Sequence, residues 1–266
     1  MNVRALTHAD IPQAMRLVEA AGWNQTAEDW ARFIDLSGEA CFGVEEEGVL
    51  AATGGAALYG RRLAWVGMVL TLPEFRGRGI ASRILIHTLQ ELDRLGIECV
   101  KLDATDFGHD LYRKLGFEDE CVIERYVGQV SGLPRSAVDN YAPDPALDLE
   151  AFGAGRSELL RRLAVHQTAS VEGGFAMGRP GRVSAYFGPC VARTPEAARH
   201  LLTWFLARHP NEPIAWDLLP GNAQAVKLAR DFGFEPRRRL MRMTRGAPAV
   251  QSNSALVYAA AAFELG

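Results

Sequence analysis

The sequence predicts an α/β protein that contains two copies of one structural unit. Its 266 residues are enough for two domains of ordinary size. The heptapeptides that end in Gly116-Phe117 and in Gly233-Phe234 are similar, and they lie 117 positions apart. The same order of predicted strands and helices precedes both heptapeptides. An internal repeat therefore explains the length better than one large domain does.

The first copy begins with a short strand and two amphipathic helices. Asp10 and Pro12 indicate the start of the first helix, because proline is well tolerated in a first helical turn. Thr26 and Asp29 have the spacing of a capping box and predict the start of the second helix. Two strands then form a predicted hairpin around the acidic turn at residues 45–48.

The centre of the first copy is residues 65–117, where an apolar strand ends before Pro73 and the turn Arg76-Gly77-Arg78-Gly79 opens a helix. Apolar groups recur in that helix at helical spacing, at Ile80, Ile84, Leu85, Thr88, Leu89, Leu92 and Leu95. The first N–H groups of a helix have no partner, glycine lets the backbone approach an anion, and arginine forks onto phosphate oxygens. We therefore predict a phosphate site here. The alternative is a solvated tight turn.

The second copy lacks two features of the first. Its central strand passes into a helix at Thr194-Pro195 without a glycine–arginine turn, and Ala229 stands where the first copy has Tyr112. Residues 131–148 contain three prolines and no periodicity, so they are interpreted as a linker. The predicted domains are residues 1–130 and 149–266. The apolar tail at residues 255–265 is expected to dock on the protein.

Composition narrows the function classes. The net charge of −3 and the pI near 6.1 give no support for nucleic-acid binding. Arg237-Arg238-Arg239 is the only basic triplet, and we interpret it as a solvated strand end, with anion binding as the alternative. The four cysteines show no CxxC spacing and the histidines no ligand spacing, so no metal and no disulfide are expected.

The expected location is the cytoplasm. The first residues show no signal-peptide pattern, and no apolar run reaches the length of about 18 residues that a membrane span needs. No membrane partner is expected. An oligomer is possible, but the sequence does not indicate an oligomeric state.

Two motifs resemble the GNAT superfamily of N-acetyltransferases. The run from Arg76 to Ala81 fits that family's acyl-CoA loop, R/Q-x-x-G-x-G/A, and LDATDFGHDLYRKLGF at residues 102–117 resembles its second signature. The second copy resembles a degenerate unit, and FGAGR at residues 152–156 and the final ELG resemble a tandem subgroup. The resemblance implies two units, each with a mixed, mostly antiparallel sheet flanked by helices.

The resemblance also implies acetyl-CoA as co-substrate and no metal. Tyr112 matches the acid that protonates the leaving thiolate; the alternative is a half-buried tyrosine that covers its helix. Thr105 either caps that helix or contacts the cofactor. The predicted cofactor-binding residues are Val69, Leu70 and Thr71 at the strand end, then Arg76, Gly77, Arg78, Gly79, Ile80 and Ala81, and Thr105.

The implied reaction is direct transfer of an acetyl group to a primary amine in a ternary complex. The acceptor is a small-molecule or peptide amine, and Trp23 and Asn24 are predicted to line its site; core packing is the alternative for Trp23. The general base stays open among several acids and a water chain: Glu28, Asp29, Asp103 and Asp106. The alternative function is a non-catalytic acyl-CoA-binding or regulatory module.

Overall fold

Both halves of the chain contribute to one β-sheet. The structure is a computed structural model that describes residues 2–133, 138, 141–247 and 252–266. Within these ranges the strands are β1 (Asn2–Ala5), β2 (Cys41–Glu46), β3 (Val49–Tyr59), β4 (Leu63–Thr71), β5 (Cys99–Ala104), β6 (Glu118–Gly128), β7 (Gln167–Val171), β8 (Gly174–Arg179), β9 (Ala185–Ala192), β10 (Ile214–Leu218), β11 (Glu235–Gly246) and β12 (Val257–Ala259). The helices are α1 (Ile11–Ala21), α2 (Ala27–Ser37), α3 (Ile80–Arg94), α4 (Asp106–Lys114), α5 (Pro145–Phe152), α6 (Ser157–Leu163), α7 (Pro195–Leu206) and α8 (Ala223–Asp231).

The strand order is β1-β2-β3-β4-β5-β11-β6-β10-β9-β8-β7, and β12 pairs with β9. Of the strand pairs described, β4–β5 and β9–β10 are parallel and the others are antiparallel. The predicted fold class, a mixed and mostly antiparallel sheet with helices, is confirmed.

The two halves exchange their last long strands. β11 of the second half lies between β5 and β6 of the first half, and β6 in turn pairs with β10 of the second half. A domain boundary near residue 130 would therefore divide the chain into two parts that still share one sheet. The domain boundaries stay a prediction. Residues 134–137 and 139–140 of the predicted linker lie outside the described residues, and α5 already begins at Pro145 within its last part.

Each parallel pair separates along its length. β4 and β5 pair only at Ala64–Val100 and Trp65–Lys101, and beyond these residues the two strands diverge. β9 and β10 likewise pair only at Ala185–Ile214 and Tyr186–Ala215, and they diverge beyond these residues. In the second half β12 fills the gap, since it pairs with β9 and the Ala260 N–H donates to the Asp217 carbonyl of β10 at 2.7 Å. In the first half the corresponding gap is open.

The local start signals and helical periodicity are confirmed in the first half. The Thr26 hydroxyl accepts from the Asp29 N–H, and the Asp29 carboxylate accepts from the Thr26 N–H, so the capping box forms. Six of the predicted apolar positions of α3 are buried: Ile80, Ile84, Leu85, Thr88, Leu89 and Leu92. They pack α3 against β2, β3 and β4.

The C-terminal tail is held by side chains from both halves. The Tyr59 hydroxyl donates to the Leu265 carbonyl at 2.7 Å, and the Trp65 indole N–H donates to the Phe263 carbonyl at 2.9 Å. Arg156, whose guanidinium is bidentate to buried Asp148, also donates to the Gly266 carbonyl at 2.7 Å. The FGAGR and ELG segments, distant in sequence, therefore meet in the fold.

Candidate active site

The turn between β4 and α3 leaves a helix N-terminus uncovered. Gly77 and Gly79 adopt left-handed φ values of 75° and 73°, which strongly favour glycine. Gly79 is the N-cap of α3, so no side chain caps the first N–H groups, and the first turn contains no acid. The exposed side chains of Arg76 and Arg78 donate to the Thr71 and Glu74 carbonyls, which holds both cations beside the turn. This arrangement suits a phosphate-bearing ligand.

A β-bulge in β4 lies just before this turn. Thr53 pairs with Leu70 and Gly55 with Gly67, so β4 contains one extra residue, and Met68 has a φ of 54°. The Thr53 hydroxyl donates to the Met68 carbonyl at 2.8 Å and fixes the bulge. Bulges re-aim backbone groups, and this one lies where β4 has left β5.

An open cleft with about 640 Å³ of empty space occupies the gap between β4 and β5. We call it the central cleft. Residues 66–69 of β4 form one side, and the end of β5 with Tyr112 forms the other. The remaining wall comes from strands β6 and β11 and from the tail, through Arg125, Arg238, Leu240, Phe263 and Glu264. The strand exchange is what brings β11 to this position.

Some of the predicted site residues meet here and others do not. Trp23, Val69, Thr105 and Tyr112 line the central cleft. Leu70 is buried in the core, and Thr71 leads from the cleft towards the turn that contains residues 76–79. Ile80 is buried at the start of α3, so it can offer only its backbone N–H, as can Ala81 beside it.

Tyr112 is 9% exposed and lies against Phe117 and Gly108. A Cβ on Gly108 would lie 2.8 Å from the Tyr112 ring, so glycine is needed for this approach. Burial raises the pKa of Tyr112 to about 12, so the phenol is protonated at neutral pH. Thr105 is the N-cap residue of α4, but its side chain makes no capping hydrogen bond. The structure therefore does not show the capping alternative for Thr105.

Trp23 and Asn24, adjacent in sequence, have different surroundings. Trp23 lines the central cleft, whereas Asn24 lines a smaller cavity beside Arg179 and Tyr186. The side-chain oxygen Oδ1 of Asn24 accepts from the Val183 and Ser184 N–H groups, and its side-chain amide donates to the Ser184 carbonyl. Asn24 thus joins the two halves, and its place at the acceptor site stays a prediction that the geometry does not favour.

Glu264 is the acid that the sequence reasoning missed. It lies in the tail, is 4% exposed and lines the central cleft. A Cβ on Gly67 would lie 2.6 Å from the Glu264 Cβ, so the tail runs directly against β4 at the point where the strands separate. Burial raises the pKa of the Glu264 carboxyl. One signal was available: Glu264 is the only charged residue in the apolar tail.

Gln25 supports Glu264. Its side-chain N–H donates to the Glu264 carboxylate at 2.9 Å, and its carbonyl oxygen is buried without a hydrogen-bond partner among the described residues. Gln25 also lines the central cleft. The two residues together offer hydrogen-bond acceptors to a bound ammonium or amine group.

The four acids that the sequence offered as the general base lie in less suitable positions than Glu264 does. Both oxygens of Asp103 accept from Arg242, at 2.9 and 3.0 Å. Asp29 is buried in ion pairs with Arg32 and Arg179. Glu28 is exposed and pairs with His166, and Asp106 is exposed in the first turn of α4. Only Asp103 among them lines the central cleft, and its carboxylate is already paired.

Comparisons with known proteins agree with this geometry. A sequence-family profile described as the acetyltransferase (GNAT) family matches residues 11–117, and one described as an acetyltransferase (GNAT) domain matches residues 145–259. The chain belongs to the GNAT acetyltransferases. The two matches confirm a tandem of GNAT units, and the family uses acetyl-CoA. Family and fold therefore support acyl transfer.

Solved GNAT structures share the fold at low sequence identity. A proposed acetyltransferase from Pyrococcus horikoshii has a TM-score of 0.85 at 20% identity, with 100% of this chain and 95% of that chain covered. A GCN5-related N-acetyltransferase from Sphaerobacter thermophilus has a TM-score of 0.65 at 19% identity, with 95% and 98% covered. One from Anabaena variabilis has a TM-score of 0.55 at 17% identity, with 92% and 72% covered. A search of curated proteins found no match.

Two further expectations can be compared with the described residues. No helix within them is long and apolar enough to cross a membrane. Across the same ranges no group of three or more His, Cys, Asp or Glu side chains is arranged to hold a metal ion.

Proposed function

We propose that this GNAT protein transfers the acetyl group of acetyl-CoA to a primary amine by direct attack in a ternary complex. The observation that carries the proposal is the central cleft, because it begins near an uncapped, arginine-flanked helix N-terminus and contains both an acid and a base candidate. The amine nitrogen bonds to the acetyl carbon, the carbon–sulfur bond breaks, the amine loses a proton and the CoA thiolate gains one.

The residues at the mouth of the cleft fit the donor. The N–H groups of Ile80 and Ala81 and the cations of Arg76 and Arg78 surround the position that suits a pyrophosphate. Val69 lies at the bulge of β4, where the regular pairing with β3 is interrupted, and the backbone N–H groups of residues 69–71 are the proposed donors to the thioester carbonyl oxygen. Donors of this kind contribute about 3 kcal/mol to transition-state stabilisation.

Tyr112 is the proposed general acid. Its pKa of about 12 keeps the proton on the phenol at neutral pH, and no hydrogen bond within the described residues occupies the hydroxyl. The phenol can therefore donate to a thiolate as that charge forms.

Glu264 is the proposed general base. Glu264 lines the cleft, and its carboxylate accepts from the neutral Gln25 amide. Burial raises its pKa against the opposing effects of Arg179, Arg125 and a hydrogen bond from its own backbone. A carboxylate with a raised pKa is a better proton acceptor than an exposed one. This residue deprotonates the incoming ammonium so that the neutral amine attacks.

The test follows release of free CoA from acetyl-CoA over a panel of primary amines that includes amino acids, polyamines, amino sugars and peptides. Calorimetry measures acetyl-CoA binding in parallel. We expect binding and amine-dependent release. Binding with no release over the whole panel would favour the alternative, a non-catalytic acyl-CoA-binding module, and absence of binding would contradict both.

A further inference from the structure

Arg238 carries a positive charge in the central cleft that no carboxylate among the described residues contacts directly. Within the described ranges no hydrogen bond or ion pair involves its guanidinium. The guanidinium carbon lies 5.6 Å from the ring centroid of Trp23 and 5.7 Å from that of Phe263. The other arginine in the cleft wall, Arg125, is bidentate to Asp217 at 2.7 Å. Within the described residues Arg238 is therefore the cleft arginine that makes no direct ion pair, although the charges of Asp217 and Glu264 act on it from a distance.

A β-bulge brings Arg238 into the cleft. β11 and β6 pair Pro236 with Tyr126 and Arg238 with Arg125, which leaves Arg237 as the extra residue. Arg237 is exposed and pairs with Glu235 at 2.9 Å, as expected for a solvated strand end. The interpretation of the whole triplet as solvated is wrong for Arg238, because the bulge turns it towards Trp23 and Phe263.

The position of Arg238 is unfavourable in the free protein. Its cross-strand neighbour is Arg125, and like charges directly opposite each other on a sheet destabilise it. Burial, followed by the charge of Arg125, lowers the pKa of Arg238, and Asp217 and Glu264 offset this shift only in part. A bound anion would compensate both effects, and a planar guanidinium matches the two oxygens of a carboxylate.

We propose that Arg238 binds the carboxylate of the acceptor, so that the acceptor is a small amino acid-like compound with an amine at one end and a carboxylate at the other. The inference rests on the proposed function, in which Glu264 and Gln25 receive the amine. All three side chains line the same cleft, so one small molecule can contact both the base and the cation. Trp23 and Phe263 flank the guanidinium and offer apolar surface to the carbon skeleton between the two groups.

The experiment measures CoA release and binding with matched ligands on the full chain. The ligands are the twenty common L-amino acids and 4-aminobutyrate, the decarboxylated amines of phenylalanine, leucine and lysine, and 3-aminopropylphosphonate. Thermal shift in the presence of CoA reports binding without turnover. We expect an amino acid to exceed its decarboxylated amine by about 10- to 100-fold in kcat/KM. Arg238→Gln should remove this preference through KM, and the exposed neighbour Arg237→Gln is the matched control.

The outcomes separate the inference from the proposed function. Release with decarboxylated amines as good as with amino acids, or a preference unchanged in Arg238→Gln, overturns the inference and leaves acetyl transfer standing. No release, with an amino acid-dependent thermal shift that only Arg238→Gln loses, supports the inference and contradicts the function. No release and no shift by any amino acid overturns both. Better use of the phosphonate than of 4-aminobutyrate overturns carboxylate recognition.

Discussion

The two halves use the same strand separation in opposite ways. In the first half the gap between β4 and β5 is an open cleft, and in the second half β12 of the same chain fills the gap between β9 and β10. Asn222, which aligns with Thr105 in the repeat, donates to the Ala255 and Val257 carbonyls and holds the tail there. Within the part of the chain that the structure describes, Thr105 makes no such contact, and it lines the open cleft. The same scaffold therefore either receives a ligand or binds its own chain.

The helices that follow the two central strands, α3 and α7, also differ in whether their N-termini are open to an anion. α3 begins at a left-handed glycine with arginines beside it and no acid in its first turn. α7 begins at Thr194, whose hydroxyl accepts from the Ala197 N–H, and Glu196 places a negative charge in the first turn. An acid at a helix N-terminus uses the positive end of the dipole and repels a phosphate. The second half therefore lacks the features from which we propose an anion site in the first half, and it also lacks the open gap.

The largest effect is expected from substitutions that make the N-terminus of α3 resemble that of α7, and the property affected is acetyl-CoA affinity. Arg76→Ala with Gly79→Glu deletes a cation, forces a non-glycine residue into a left-handed position and adds a carboxylate at the α3 N-terminus. We expect acetyl-CoA affinity to fall about 1,000-fold, since each charge-assisted hydrogen bond contributes about 1.5–3 kcal/mol. Calorimetry measures it, and Glu196→Gln on α7 is the matched control with unchanged affinity. Wild-type affinity in the double variant would contradict the phosphate site.

The next effect separates Glu264 from the other acids. Glu264→Gln should lower kcat about 100- to 1,000-fold at pH 7.5 with acetyl-CoA affinity unchanged, because the amide cannot take a proton. The kcat/KM of the unchanged protein should fall as the pH drops through the raised pKa of Glu264, a decline the variant lacks. Asp103→Asn would instead destabilise the fold by leaving Arg242 unpaired. A kcat of Glu264→Gln within threefold of wild type would exclude this base.

Glu264→Gln, which should lower kcat, should raise the stability of the fold. The folded-state pKa of Glu264 is raised, so the folded protein binds this proton more tightly than the unfolded chain does. The cost of burying the charge is therefore full above the folded pKa and is relieved as the pH falls towards the unfolded value. Glu264→Gln should have the higher Tm at pH 8, and the difference should shrink towards pH 5. Thermal scans across this range measure it, and a lower Tm at pH 8 would contradict a buried carboxylate with a raised pKa.

A smaller effect is expected from Tyr112. Tyr112→Phe removes the phenol proton and should lower kcat about 10- to 100-fold with KM for acetyl-CoA unchanged. Tyr258→Phe is the matched control, since Tyr258 is a buried tyrosine of β12 in the filled gap of the second half and should leave kcat unchanged. Equal rates in all three proteins would show that Tyr112 only covers its helix.

Local features were predictable from the sequence and long-range ones were not. The α3 face, the Thr26–Asp29 capping box, the glycine turn and the repeat depend on residues that are close together or that recur at a fixed offset. The exchange of β6 and β11 depends on pairings between distant strands, which no local pattern encodes. Arg237 and Arg238 look alike in sequence, and only the bulge decides which of them faces the cleft. Glu264 reaches the cleft because the tail docks, so its role depends on a contact across the whole chain.

The smallest effect tests how the second half keeps its gap filled. The side-chain oxygen Oδ1 of Asn222 caps α8 by accepting from the Gln224 and Ala225 N–H groups, while its side-chain amide donates to the tail. Asn222→Asp keeps the cap and loses the donors, whereas Asn222→Ala loses both. We expect losses of about 1 and about 2 kcal/mol in the free energy of unfolding by urea titration, with acetyl-CoA affinity unchanged, because a cap and a hydrogen bond each contribute about 1 kcal/mol. If Asn222→Asp were as stable as wild type, the donors would not anchor the tail. β12 would then stay in the gap through its pairing with β9 and the backbone hydrogen bond from Ala260 to Asp217 of β10.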